Sequence, residues 1–134
     1  MQSPHRASKE SGIKLNQELL DVYHKWDNEN PFDLGDGWGK EPWSQKEMPL
    51  EDSLAARAAK RCQTAIAVIG RTSGEEQDNS LTEGSFLLSS DEKQMLTTVR
   101  RHFSKMIVLL NVGNINHAAG AGTAFIIMKL NPAK

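Results

Sequence analysis

Hydrophobic residues along the chain follow two patterns, and the first has the periodicity of an α-helix. Apolar residues recur every three to four positions in three stretches. This spacing predicts helices over about residues 16–28, 51–62 and 90–103. Asn16 is placed to cap the first of them, and Ser89 with Glu92 forms a capping-box pattern at the start of the third.

The second pattern consists of unbroken apolar runs. Residues 64–70 and 106–111 are continuous apolar stretches of strand length, a pattern typical of strands buried on both faces of a parallel sheet. The order strand, helix, strand therefore predicts an α/β fold with two parallel strands. Residues 123–128 are apolar as well, and they predict a short third strand.

Two polar loops separate these elements. The loop over 29–50 is rich in Gly, Pro and Asp and contains Trp38 and Trp43, which either stack on a sugar or pin the loop to the core. The loop over 71–88 follows the first strand directly. Because ligand chemistry in open α/β sheets lies at the carboxyl ends of the strands, this second loop is the first place to look for a functional site.

Composition narrows the function classes. A chain of 134 residues suits one domain or part of one, and a formal net charge of −1 argues against a general nucleic-acid binder. No apolar run reaches membrane-spanning length, so we expect neither a nucleic-acid nor a membrane partner. The single cysteine, Cys62, falls in a predicted helix and has no internal disulfide partner, which with the polar N-terminus favours a cytoplasmic location.

Three acids are crowded in the loop after the first strand. Glu75, Glu76 and Asp78 lie within four positions, and like charges in proximity raise the pKa of at least one member. A carboxyl group held neutral near pH 7 is able to protonate a leaving group. Arg71 either keeps a neighbouring carboxylate ionised or binds a ligand hydroxyl. The plain alternative is a solvated acidic loop.

Other motifs predict no cofactor and no metal. Residues 70–74 lack the lysine of a phosphate-binding P-loop, and residues 120–122 lack the third glycine of a dinucleotide fingerprint. The four histidines show no metal-ligand spacing with each other or with Cys62. His24 and His102 lie on predicted helices, where we expect them to be exposed.

Several blocks of the sequence resemble one enzyme family. These blocks are AIAVIGRTSGEEQDN at 65–79, GSFLL at 84–88 followed by DE at 91–92, VLLNVGNI at 108–115, and GWGKEPW at 37–43. Together they look like the C-terminal domain of glycoside hydrolase family 3, the β-glucosidase-like enzymes. The resemblance covers about residues 10–116.

The resemblance implies a partial α/β sandwich with a mostly parallel sheet, flanked by helices and truncated. Family members are retaining enzymes without a cofactor, in which an aspartate of a (β/α)8 barrel is the nucleophile and a glutamate of the C-terminal domain is the acid/base. By motif position that acid/base is Glu75, with Glu76 as the fallback. Arg71 and Asp78 are expected to bind substrate in the same loop.

The sequence also departs from the family. No barrel precedes it, and residues 117–134 read as a divergent tail. We therefore expect a fragment that is inactive without the barrel domain or a full-length homologue, whose substrate is a β-linked glucoside or oligosaccharide. One alternative is a carbohydrate-binding or protein-interaction module that uses Trp38 and Trp43. Another is a remnant that does not fold stably.

Overall fold

The computed structural model describes residues 12–37, 39–72 and 80–112 of the chain. Within them the elements follow in the order α1 (Gln17–Glu29), α2 (Asp52–Ala59), β1 (Thr64–Gly70), α3 (Ser90–His102) and β2 (Lys105–Asn111). All five match the predicted elements to within three residues at either end. The proposed third strand at 123–128 lies outside the described residues.

Local hydrogen bonds set the helix limits. Asn16 Oδ1 accepts the backbone N–H of Leu19 at 3.0 Å and caps α1, while Ser89 and Glu92 complete the predicted capping box at the start of α3. Helix α2 ends earlier than predicted, because the chain tightens after Ala59 into a turn in which the N–H of Arg61 donates to the Ala58 carbonyl, three positions back, at 3.0 Å. Cys62 is therefore half-buried beyond the helix rather than inside it.

The two strands pair in parallel, in a register that runs from Thr64 opposite Lys105 to Gly70 opposite Asn111. A parallel pair needs a crossover connection, and α3 occupies it between β1 and β2. The carboxyl ends of both strands therefore lie side by side at one edge. The α/β class expected from the sequence is confirmed.

A core forms between one face of this sheet and the helices. Ala67 and Ile69 of β1 face it, and the α2 and α3 residues that share one helical face are buried there, as their spacing predicted. The buried apolar residues are Met48, Leu50, Leu54, Ala55, Ala58, Ala67, Ile69, Met95, Val99 and Phe103. Helix α1 contributes only half-buried side chains to the edge of this core.

The opposite face of the sheet is exposed, so the prediction that these strands are buried on both faces is wrong for the described residues. Ile66 and Val68 are 53% and 49% exposed, and Leu109, which pairs with Val68, is 50% exposed. In the described part of the chain, α2 and α3 pack against each other and α3 contacts both strands, so the covering helices lie on one face. An unbroken apolar run allows a strand to be buried on both faces, but the segments that pack beside it determine whether each face is covered.

Candidate functional site

The two strands end at a polar junction. Gly70 pairs with Asn111 at the last position of the ladder, and the N–H of Arg71 extends it by donating to the Asn111 carbonyl at 3.0 Å. Thr72 then leaves the sheet and is held at two points by the 29–50 loop. Its N–H donates to the carbonyl of Trp43 at 2.9 Å and its hydroxyl to the carbonyl of Pro42 at 2.5 Å.

Arg71 is the centre of this junction. Its Nη1 lies 2.5 Å from Glu92 Oε1 and its Nη2 lies 2.9 Å from Glu92 Oε2, which is the bidentate geometry of an arginine–carboxylate pair. The two side chains are only 8% and 6% exposed. Of the two sequence alternatives for Arg71, the structure therefore displays contact with a neighbouring carboxylate, and that carboxylate is Glu92.

Glu92 joins the capping of α3 to this ion pair. Its Oε2 also accepts the backbone N–H of Ser89 at 2.8 Å, while Ser89 Oγ accepts the N–H of Glu92 at 3.2 Å. Since the capping box orients the carboxylate, local helix-start chemistry places the partner of Arg71. The sequence showed the capping box, but the pairing across 21 positions was missed because no local pattern indicates it.

The segment over 80–88 is folded around the same centre. The carbonyls of Ser85 and Leu87 accept N–H groups of the Arg71 guanidinium at 2.7 and 3.3 Å, and the N–H of Ser80 donates to Ser85 Oγ at 3.1 Å. Gly84 has φ +79°, and a Cβ added there would lie 2.7 Å from Ser44 Oγ. The absence of a side chain at Gly84 thus lets this segment approach the 29–50 loop closely.

The predicted acids Glu75, Glu76 and Asp78 lie outside the described residues, as does Trp38. Of the residues predicted to act at the site, the structure describes Arg71 and Trp43. The backbone of Trp43 is fixed to the end of β1 by the bond from Thr72, and its side chain is half-buried. This bond is the kind of contact expected if Trp43 pins its loop to the core.

An open cleft of about 590 Å³ lies in the same loop, lined by Asp33, Gly35, Asp36, Lys40 and Pro42. Asp33 is held in place by Gln45, which accepts its N–H at 2.7 Å and donates to its carbonyl at 3.1 Å. Pro42 links this cleft to the Arg71 junction, because its carbonyl accepts the Thr72 hydroxyl. The lining of the cleft includes three charged side chains, those of Asp33, Asp36 and Lys40, which offer hydrogen-bond donors and acceptors to a polar ligand.

Three side chains away from the junction have shifted pKa values. Burial raises the pKa of Glu47, whose Oε1 accepts the Met48 N–H and lies 3.4 Å from the Tyr23 hydroxyl. Burial, with Glu47 nearby, also raises the pKa of Tyr23 above its ordinary value. At the far end of α3, His102 and then Arg101 lower the pKa of the Asp52 carboxyl.

His102 corrects the expectation of an exposed helix histidine. Its side chain is 20% exposed, and its Nε2 lies 2.9 Å from Asp52 Oδ1 without the alignment of a hydrogen bond. By contrast, His24 is exposed as expected. Over residues 12–37, 39–72 and 80–112, no group of three or more His, Cys, Asp or Glu side chains is arranged to hold a metal ion.

The known proteins to which this chain is similar include β-glucosidases. A β-glucosidase from Ruminococcus albus is 58% identical over 106 residues, which are 79% of this chain and 11% of that enzyme. Among solved structures, a β-glucosidase from Paenibacillus barengoltzii superposes with a TM-score of 0.74 at 49% identity, over 76% of this chain and 11% of that one. Over these matched residues, the resemblance to the β-glucosidase-like enzymes of glycoside hydrolase family 3 is confirmed.

More distant relatives extend the match. Over 79% of this chain and 16% of its own, the β-glucosidase 3B from Thermotoga neapolitana in complex with α-D-glucose gives a TM-score of 0.65 at 31% identity. β-Glucosidase A from Butyrivibrio fibrisolvens is 33% identical over 58% of this chain and 12% of that enzyme. No family model matches the chain. The chain thus spans about a ninth of the R. albus enzyme, and the described helices span no membrane.

Proposed function

We propose that this chain is the segment of a retaining β-glucosidase that contributes the general acid/base, and that Glu75 is that residue. The observation that carries the proposal is the 58% identity to the R. albus β-glucosidase over 106 residues. A glucose complex of a structurally similar β-glucosidase supports a β-linked glucoside or oligosaccharide as substrate. The domain would extend over residues 10–116, with 117–134 as a divergent tail.

The proposed reaction is hydrolysis of an O-glycosyl bond in two displacements. In the first, a carboxylate of the barrel domain bonds to the anomeric carbon while the glycosidic bond breaks, and the proton of Glu75 goes to the departing oxygen. In the second, water attacks the anomeric carbon and gives its proton to Glu75 as the bond to the barrel carboxylate breaks. The two carboxyl groups must stand about 5–5.5 Å apart, so one is supplied by each domain.

The loop that follows Arg71 is the proposed substrate-facing part of this segment. Asp78 is proposed to bind sugar hydroxyls, and Glu76 remains the fallback for the acid/base. Arg71 was predicted to bind substrate as well, but the occupied guanidinium described above favours a different role, which is developed in the next subsection. No cofactor is required by a reaction that uses only carboxyl groups and water.

Because the nucleophile belongs to the barrel, we propose that the chain alone is inactive. Its proposed partner is the barrel domain or a full-length homologue, with neither nucleic acid nor membrane involved. A cytoplasmic location remains a prediction. Cooperative unfolding of the full chain on heating, followed by circular dichroism, would contradict the alternative that it is an unfolded remnant.

The proposal is tested in a hybrid enzyme, defined as the R. albus β-glucosidase with this chain's matched residues in place of its own. The hybrid is expected to hydrolyse phenyl β-glucoside, whereas the 134-residue chain alone does not. Glu75→Gln should reduce this activity by about 100-fold or more. Azide should restore turnover of dinitrophenyl β-glucoside by that variant, since azide attacks without general-base help and the leaving group needs no proton.

The neighbouring change Glu76→Gln is the matched control. It should leave the rate within a few-fold and show no azide effect. If Glu76→Gln gives the azide-dependent loss instead, the acid/base role moves to Glu76. An inactive hybrid, or one indifferent to both substitutions, contradicts the proposed function.

The open cleft, whose lining residue Pro42 directly precedes Trp43 in the chain, supports a second candidate, a carbohydrate-binding or protein-interaction module that uses Trp38 and Trp43. Glucose or cellobiose would then change the tryptophan fluorescence of the full chain, and Trp43→Ala or Trp38→Ala would abolish the change. Trp26 serves as the internal control. It lies on α1 at the edge of the core, and Nζ of Lys46 lies 5.2 Å from the centre of its ring. No fluorescence response and no shift in melting temperature would exclude sugar binding by the isolated chain.

A further inference from the structure

All five N–H groups of the Arg71 guanidinium have acceptors within the protein. Nε donates to the carbonyl of Ser85, Nη1 to the carbonyl of Gly70 and to Glu92, and Nη2 to Glu92 and the carbonyl of Leu87. An arginine side chain has five donors and no acceptor. With the side chain 8% exposed, Arg71 has no free donor for a sugar hydroxyl.

These acceptors lie on both sides of the proposed catalytic loop. Gly70 precedes residues 73–79 in the sequence, while Ser85 and Leu87 follow them. Thr72 and Ser80, the described residues that flank this interval, are themselves bonded, Thr72 to the 29–50 loop and Ser80 to Ser85. Arg71 therefore ties the exit of β1 to the segment over 80–88, and Glu92 ties both to the first turn of α3.

We propose that Arg71 and Glu92 form a positioning pair, which fixes the two ends of the interval that carries the general acid/base. This inference rests on the proposed role of Glu75. A general acid must lie within hydrogen-bond reach of the oxygen it protonates, and a displacement of about 1 Å is able to cost about 100-fold in rate. A buried bidentate pair gives that placement because both partners are held in one geometry.

Two simpler roles give different outcomes. If Arg71 bound the sugar, its loss would weaken binding of every glucoside that shares the same ring, whatever the leaving group. If the pair only stabilised the fold, its loss would lower the amount of active enzyme and reduce all rates in equal proportion. A positioning pair for a general acid instead affects substrates according to how much their leaving group needs a proton.

The experiment compares two substrates in the hybrid enzyme, phenyl β-glucoside with a poor leaving group and dinitrophenyl β-glucoside with a good one. The variants are Arg71→Lys, which keeps the charge but loses the planar fork of donors, and Glu92→Gln, which keeps the shape but loses the charge. Active sites are counted by the burst of leaving group released with a fluorinated glucoside, so that rates refer to folded enzyme.

Per active site, Arg71→Lys and Glu92→Gln should each lower kcat/KM for phenyl β-glucoside by about tenfold or more, and for dinitrophenyl β-glucoside by less than about threefold. The pH profile on the phenyl substrate should also shift on its alkaline limb. Arg57→Lys is the matched control, because Arg57 forms an ion pair with Glu18 while 53% exposed, and it should change neither ratio.

Unchanged kcat/KM per active site on both substrates would overturn the positioning role in favour of stability. Equal losses per active site on both substrates, or a rise in KM alone, would overturn it in favour of direct sugar binding. Loss of folded protein in both variants, measured by urea unfolding of the full chain, would also overturn it and make the pair part of the core. If Glu75→Gln itself shows no dependence on the leaving group, the proposed function fails. If only the Arg71 and Glu92 variants lack that dependence, this inference fails alone.

Discussion

Two arginine–glutamate pairs in this chain share their chemistry and differ in their surroundings. Arg71 and Glu92 are 8% and 6% exposed and meet in two hydrogen bonds, while Arg57 and Glu18 are 53% and 31% exposed and meet at 2.8 Å. In water, an ion pair gains little because solvent already stabilises both charges. In the interior, each charge depends on its partner. The same two residue types therefore form a buried, mutually dependent ion pair at the strand ends and a weak, solvated ion pair on the surface.

The strongest way to test this comparison is to break the buried pair. Arg71→Met leaves Glu92 as an uncompensated buried charge and removes donors from three carbonyls. We expect the free energy of unfolding to fall by about 3–5 kcal/mol, measured by urea denaturation of the full chain. The double variant Arg71→Met with Glu92→Leu should recover part of this loss, and additive losses would contradict the argument.

A half-buried carboxyl without a cation gives an intermediate case. Because burial raises the pKa of Glu47 in the folded state, the unfolded chain loses this proton first as pH rises. Its contribution to stability is therefore greatest at acidic pH and declines as pH rises from the unfolded pKa to the higher folded value. Glu47→Gln should be more stable than wild type at pH 7 and should flatten this dependence, which melting curves across pH 4–8 would measure.

An unchanged pH dependence in Glu47→Gln would show that another group is responsible. Glu41→Gln is a suitable control, because Glu41 is another half-buried acid of the same loop.

The exposed pair should matter little. Arg57→Ala is expected to lower the free energy of unfolding by about 0.2–1 kcal/mol, and 0.5 M salt should remove most of that difference. Urea denaturation at two salt concentrations checks both statements. A loss as large as that of Arg71→Met would erase the contrast between the two sites.

The smallest effect is expected at Asp52, whose carboxyl is bound on the surface by His102 and Arg101. His102 and Arg101 lower the pKa of Asp52 in the folded state, so its contribution is present above the unfolded pKa and is lost as pH falls through the folded value. Asp52→Asn should therefore reduce stability slightly at pH 6 and by less at pH 2. Melting temperatures at the two pH values measure this, and an equal change at both would contradict it.

The sequence alone determined the elements and their order. Helix caps at Asn16 and Ser89, apolar spacing on α2 and α3, and two apolar strands are local signals, because the interacting groups lie within a few positions of each other. The resemblance to a glycosidase family was also visible in the sequence, since the motifs that carry it are short blocks of neighbouring residues. The early end of α2 was not predicted, since its boundary depends on how the backbone turns into β1.

Tertiary structure decided everything that needs residues far apart. It chose Glu92 as the partner of Arg71, placed the half-buried side chain of His102 against Asp52, and left Ile66 and Val68 exposed on one face of the sheet. These outcomes depend on which segments fold against each other, and the free energy of burying a charge or an apolar side chain is set only by that packing. The residue type at a position limits which contacts and degree of burial are possible there, and the residues that pack against it from distant parts of the chain determine which of these occur.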